Sequence, residues 1–214
     1  MSRIKQKVGI KGSQKWLQIC VQFYPELLQP ANYPKLTWLS PLADDDYAEY
    51  QDGSFLNLLG VKHLKSQLKE FWPHKGPVWD GLALAKDTVF LIEAKAHLNE
   101  FFTPATSASN KSRAVINNSL TKVSNELGAN PKASWSEAFY QYSNRLAHLW
   151  FLRSNGINAK MVFVSFVGDN EMQGPESELE WAAIFKAADY VLGLPKKHKL
   201  SKHIIHVYPN VHSL

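Results

Sequence analysis

Apolar residues first fall into register just after a polar start. From Ser13, the residues Trp16, Ile19, Cys20, Phe23 and Leu27 recur at helical spacing. Leu36, Thr37, Trp38 and Leu39 predict a short strand between Pro34 and Pro41. The acidic run Asp44, Asp45 and Asp46 suits a helix start, where carboxylates meet the positive end of the dipole. Residues 47–71 read as two short helices broken near Gly60. Residues 78–85 and 88–95 alternate and are rich in Val, Ile, Leu and Phe, which predicts a hairpin turning at Lys86-Asp87. A helix follows at 111–127, with Ile116, Leu120, Val123 and Leu127 on one face and Gly128 as its stop. A second helix at 136–154 ends before Gly156. The β-branched run at 160–167 predicts a buried strand. Ser177 and Glu180 form a capping-box pattern for a helix closing at Gly193, and the last strand is expected at 203–208. This order predicts one α/β domain over residues 1–214, a central mixed β-sheet flanked by helices, with 1–11 as a polar, basic lead-in.

Composition agrees with a packed domain. Apolar residues make up 45% of the 214, including 7 Trp and 11 Phe, which excludes a disordered chain. Lysine and arginine total 24 against 19 acids, a net +5 that leans mildly toward polyanionic partners. The single cysteine, Cys20, allows no intrachain disulfide and suits a buried helix position. The first residues lack the apolar run of a signal peptide, and no stretch has the length and apolarity of a membrane span. A cytoplasmic protein without a membrane partner is the expectation.

The hairpin carries the chemistry. With the turn at Lys86-Asp87, Ala85 faces Thr88, and continuing the register sets Asp80 across from Glu93. Their Cβ atoms would lie about 4.5–5.5 Å apart on one face, and Lys95, two residues on, shares that face. Leu82, Leu84, Val89 and Leu91 continue it toward the turn, while Ala83, Phe90, Ile92 and Ala94 occupy the other face. Opposed carboxylates in a buried sheet repel, and a divalent cation offsets the repulsion. Such an ion would polarise a phosphoryl oxygen and lower the pKa of a bound water, with Lys95 positioning that water or stabilising developing charge. The bland alternative is an ordinary cluster of common charged residues at a hairpin end.

Asp80 followed by Glu93-Ala94-Lys95 on consecutive strands resembles the motif of the PD-(D/E)XK, restriction-endonuclease-like nucleases. The element order over about residues 12–167 is similar to that superfamily's core, and the whole chain resembles a widespread group of uncharacterised bacterial members. The resemblance implies Mg²⁺ or Mn²⁺ held by Asp80, Glu93 and the backbone carbonyl of Ala94. It also implies catalysis by Asp80, Glu93 and Lys95, and hydrolysis of phosphodiester bonds in nucleic acid, DNA before RNA. Two positions depart from the pattern. Trp79 stands where proline is usual, and the first helix lacks the glutamate that many members use as a further ligand. Gln14, Gln18 and Gln22 line that helix instead, so fewer protein ligands are expected, or one from elsewhere such as Glu49.

Around this centre, Gln141, Asn144, Arg145 and His148 form a polar stripe on the helix after the hairpin. Amide, guanidinium and imidazole groups suit directed hydrogen bonds to phosphates or bases, although they serve structure equally well. Gln141 and Arg145 resemble the glutamine-led motif found there in the superfamily. Gln141, Asn144, Arg145, His97 and Gln18 are the candidate substrate contacts. The hydroxyl-rich segment 103–113 reads as a capped loop, with phosphate binding at the following helix start as the functional alternative. The basic turn Lys196 to Lys202 reads as solvated. The competing functional class is a non-catalytic module binding nucleic acid or protein on the same scaffold.

Overall fold

The computed structural model describes residues 3–214. In chain order its elements are β1 (Arg3–Ile4), α1 (Gly12–Phe23), β2 (Thr37–Ser40), β3 (Glu49–Tyr50), α2 (Asp52–Leu58), α3 (Lys65–Phe71) and β4 (Gly81–Ala85). There follow β5 (Thr88–Lys95), α4 (Leu98–Phe101), α5 (Asn110–Glu126), α6 (Tyr140–Ser154), β6 (Ala159–Ser165), α7 (Glu178–Val191) and β7 (Ile204–Val207).

The protein is α/β, with a five-stranded mixed sheet in the order β2-β4-β5-β6-β7 and helices on both sides. The first pairings are antiparallel, and β5-β6 and β6-β7 are parallel. The hairpin register is the expected one, from Ala85 opposite Thr88 to Gly81 opposite Ile92. Every residue of β5 is buried, as a central strand covered on both faces requires. Its side chains divide by parity. Val89 and Leu91 join Leu82 in a core with α2, α3, α5, α6 and α7. Phe90, Ile92 and Ala94 join Ala83 in a second cluster with Leu17 and Cys20 of α1. No helix among the described residues is long and apolar enough to cross a membrane.

Several expectations are corrected. The first helix ends at Phe23, and Pro25–Leu28 form a separate 3₁₀ turn, as a proline without an amide hydrogen promotes. The aspartate run forms only a 3₁₀ turn, Ala43–Asp45, because Asp46 and Tyr47 adopt positive φ; Asp45 and Asp46 pair with Arg3 instead. The helix expected from 136 starts at Tyr140. Upstream of it Trp135 is buried with its indole N–H on the Leu192 carbonyl, and Phe139 has φ 49°. Ser177 caps the Glu180 amide of α7, but the Glu180 carboxylate returns to the Glu176 amide rather than to Ser177.

Residues 3–9 of the polar lead-in are tied to the fold. Arg3–Ile4 pair with Glu49–Tyr50. Two glutamines of α1 hold the segment down: Gln14 donates to the Gln6 side chain and Gln18 bridges the Gly9 amide and the Lys7 carbonyl, while Gln22 accepts from the Tyr47 hydroxyl outside it.

Candidate active site

Asp80 sits in the bend before β4, where the chain leaves the hairpin ladder and Trp79 pairs with Tyr50 instead. The Ala94 amide, left without a strand partner on that side, donates to Asp80 Oδ2 at 2.8 Å. This bond ties the half-buried aspartate to the middle residue of the Glu93-Ala94-Lys95 run. Glu93 is 1% exposed and faces α6. Lys95 Nζ lies 2.5 Å from its Oε1, and Arg145 Nε lies 2.5 Å from its Oε2. Arg145 also donates to the Val78 carbonyl at 2.8 Å and to Asn144 Oδ1 at 2.9 Å, with its guanidinium 4.8 Å from the Trp79 ring. The structure therefore brings Asp80, Glu93, Ala94, Lys95, Asn144 and Arg145 together.

The electrostatics follow from that packing. Burial, and then the charge of Glu93, push the Asp80 carboxyl up to about 7. Burial would raise Glu93 as well, but Arg145 and Lys95 outweigh it and leave its carboxyl below the ordinary value. Glu49 on β3 is pushed up to about 8, by burial and then by the charge of Asp80. Its Oε2 accepts from Gln6 at 2.8 Å.

Two spaces meet at Asp80. A cleft of about 930 Å³ is lined by Glu49, Asp80, Gln141, Asn144 and Arg145, with the hydroxyl-rich segment 103–109 along one wall and residues 73–75, 77 and 78 along another. A smaller cavity of about 30 Å³ lies between α1 and the hairpin; Glu49, Asp80, Ala94, Gln14 and Gln18 line it. Among the described residues no group of three or more His, Cys, Asp or Glu is arranged to hold a metal ion. Any cation here would need backbone carbonyl, water or substrate oxygens alongside the carboxylates.

The remaining candidates divide. Gln141 lines the cleft, its backbone N–H donating to the Thr103 hydroxyl. Gln18 borders the small cavity, but its amide group is committed to residues 7 and 9. His97 lines neither space and lies 3.4 Å from Glu100, whose carboxylate caps the start of α1 through Ser13. His148 leaves the stripe altogether. It is 1% exposed among Phe55, Phe71, Trp72 and Trp79, and burial lowers its pKa to about 3. The row that reads as a polar face is thus buried from Asn144 to His148. Ser109 caps α5 through the Ser112 amide, as a capped loop requires. No family model, curated protein or solved structure matches this chain.

Proposed function

We propose that this protein is a metal-dependent nuclease of the restriction-endonuclease-like type, hydrolysing phosphodiester bonds in nucleic acid, with DNA as the first substrate to test. The observation that carries the reading is the Asp80–Ala94 bond beside the Glu93–Lys95 pair, where an open cleft meets the hairpin. The donor set fits Mg²⁺ or Mn²⁺: every group offered is a hard oxygen, from carboxylates and a carbonyl, with no thiolate or imidazole among them. When bound, such an ion supplies Lewis-acid activation of the phosphoryl group and of a water.

The chain's own residues account for the rest. Asp80 borders the cleft, with one oxygen fixed by the Ala94 amide and the other without a hydrogen-bond donor among the described residues. Lys95 carries a positive charge two residues beyond Glu93, held by that carboxylate, where it can orient a water or balance charge on a phosphate. Gln141 lines the cleft wall, and the buried Arg145, each of whose nitrogens already has a protein acceptor, lends that wall a positive charge suited to phosphate.

The test is a cleavage panel on labelled single- and double-stranded DNA and RNA, with and without Mn²⁺. Cleavage should require the metal and disappear in Asp80→Asn and Lys95→Ala while both variants keep the wild-type circular dichroism. Robust cleavage by either variant refutes the assignment. One observation favours a non-catalytic binding module: both oxygens of Glu93 are already engaged by cations. On that reading the protein binds nucleic acid in the panel, cleaves none of it, and shows no Mn²⁺ binding.

A further inference from the structure

We infer that Glu49, rather than Glu93, is the carboxylate that joins Asp80 in holding the divalent cation, and that Glu93 is a positioning residue for Lys95 and Arg145. The inference rests on the metal-dependent reading above and changes its ligand set.

Access gives the first argument. Glu49 and Asp80 border both the cleft and the small cavity, and Ala94 borders the cavity with them, whereas Glu93 borders neither. An ion entering from solvent meets Asp80 and Glu49 first. Glu93 lies beneath, 1% exposed.

Charge gives the second. Glu93 already has a cation on each oxygen, both at 2.5 Å. To bind a metal it would have to release Lys95 or Arg145, leaving a buried cation without its partner, the costly half of a broken buried pair. Asp80 and Glu49 take part in no ion pair among the described residues. One oxygen of Asp80 is taken by the Ala94 amide and one of Glu49 by Gln6, so each keeps a second oxygen without a protein donor among those residues. Two carboxylates and a backbone carbonyl, with water and substrate completing the shell, are a usual set for Mg²⁺.

Support from neighbouring residues gives the third. Glu49 stands on the two-residue strand β3, too short to fix a side chain by itself. Gln6 on the lead-in donates to Glu49 Oε2, and Gln14 on α1 donates at 3.1 Å to the side-chain oxygen of Gln6. Helix α1 thus reaches the site through two amides instead of a carboxylate of its own. Outer partners of this kind hold metal ligands in place in other proteins.

The test titrates Mn²⁺ into the full-length protein and its Asp80→Asn, Glu49→Gln and Glu93→Gln variants, reading free Mn²⁺ by electron paramagnetic resonance. Melting temperatures are measured in parallel in chelator. Glu49→Gln should weaken Mn²⁺ binding by roughly tenfold or more, since even outer-shell losses cost that much. Glu93→Gln should melt lower yet, where folded, bind Mn²⁺ with near wild-type affinity. Loss of binding in Asp80→Asn together with wild-type affinity in Glu49→Gln overturns this ligand assignment alone, whether or not Glu93→Gln folds. Absence of Mn²⁺ binding in the wild type overturns both the assignment and the metal-dependent function.

Discussion

Replacing Arg145 with methionine isolates what the buried charge cluster contributes to the fold. Arg145 is 2% exposed, its guanidinium 2.5 Å from Glu93 Oε2 and bonded also to the Val78 carbonyl and Asn144. Removing one partner of a buried pair costs about 3–5 kcal/mol, chiefly because the other charge stays buried. Lys95 remains on Glu93 Oε1, which favours the lower end of that range. Two further acceptors lose a donor, each costing about 0.5–1.5 kcal/mol, while the methionine side chain recovers some packing on Trp79. The expected loss is therefore about 3–4 kcal/mol, a large share of the roughly 5–15 kcal/mol usual for a domain. At about 2–4 °C per kcal/mol for a chain of this size, the midpoint should fall by roughly 6–16 °C. Urea unfolding of the metal-free protein at pH 7, followed by tryptophan fluorescence, measures it, with the denaturant slope unchanged. A loss below about 1 kcal/mol, the value of an exposed pair, would refute the reasoning. The difference should also depend on pH. A lowered acid stabilises the fold above its unfolded pKa and ceases to as pH falls through its folded one. The wild-type advantage should therefore narrow below about pH 4.

Asp80 and Glu49 act in the opposite sense. Both are raised, to about 7 and about 8, so the folded state holds extra protons above the ordinary carboxylate range, and metal-free stability should fall as pH rises toward 8. The slope reaches about 1.4 kcal/mol per pH unit for each extra proton, and Asp80→Asn should flatten it in melts run from pH 5 to 8. His148, lowered to about 3 by burial, must charge on unfolding, so its penalty grows as pH falls below its unfolded value. His148→Phe should narrow the acid loss of stability between about pH 6 and 3, read by acid titration of circular dichroism. Gly174 packs against backbone, with the Ala96 carbonyl oxygen 2.1 Å from where a Cβ would stand. Gly174→Ala should cost about 1–3 kcal/mol in urea unfolding.

The hairpin is the most legible part of the chain. A two-residue turn and a period of two leave one register, which fixes the shared face of Glu93 and Lys95 before any long-range contact is known. Asp80 is more instructive. It reaches the site not as a ladder partner of Glu93 but through the Ala94 amide, because the chain breaks away to pair Trp79 with Tyr50. The buried state of Asn144 and Arg145 is invisible along the sequence, since the acid that compensates Arg145 lies on another element, 52 positions away. The same holds for His148, whose aromatic surroundings come from three separate stretches of chain. Strands β1 and β3 have two residues each, too few for any periodicity, so the segment carrying Glu49 shows no pattern of its own.

The glutamine rail along α1 has a practical consequence. Proteolytic trimming of residues 3–9 would spare both hydrophobic clusters, since neither draws a buried member from that stretch. Gln14 and Gln18 would lose their acceptors, and Glu49 the Gln6 donor. The trimmed protein would keep both clusters but lose the β1–β3 pairing and, on the ligand assignment proposed above, its affinity for Mn²⁺. Intact-mass measurement of the amino terminus should therefore precede any conclusion drawn from an inert preparation.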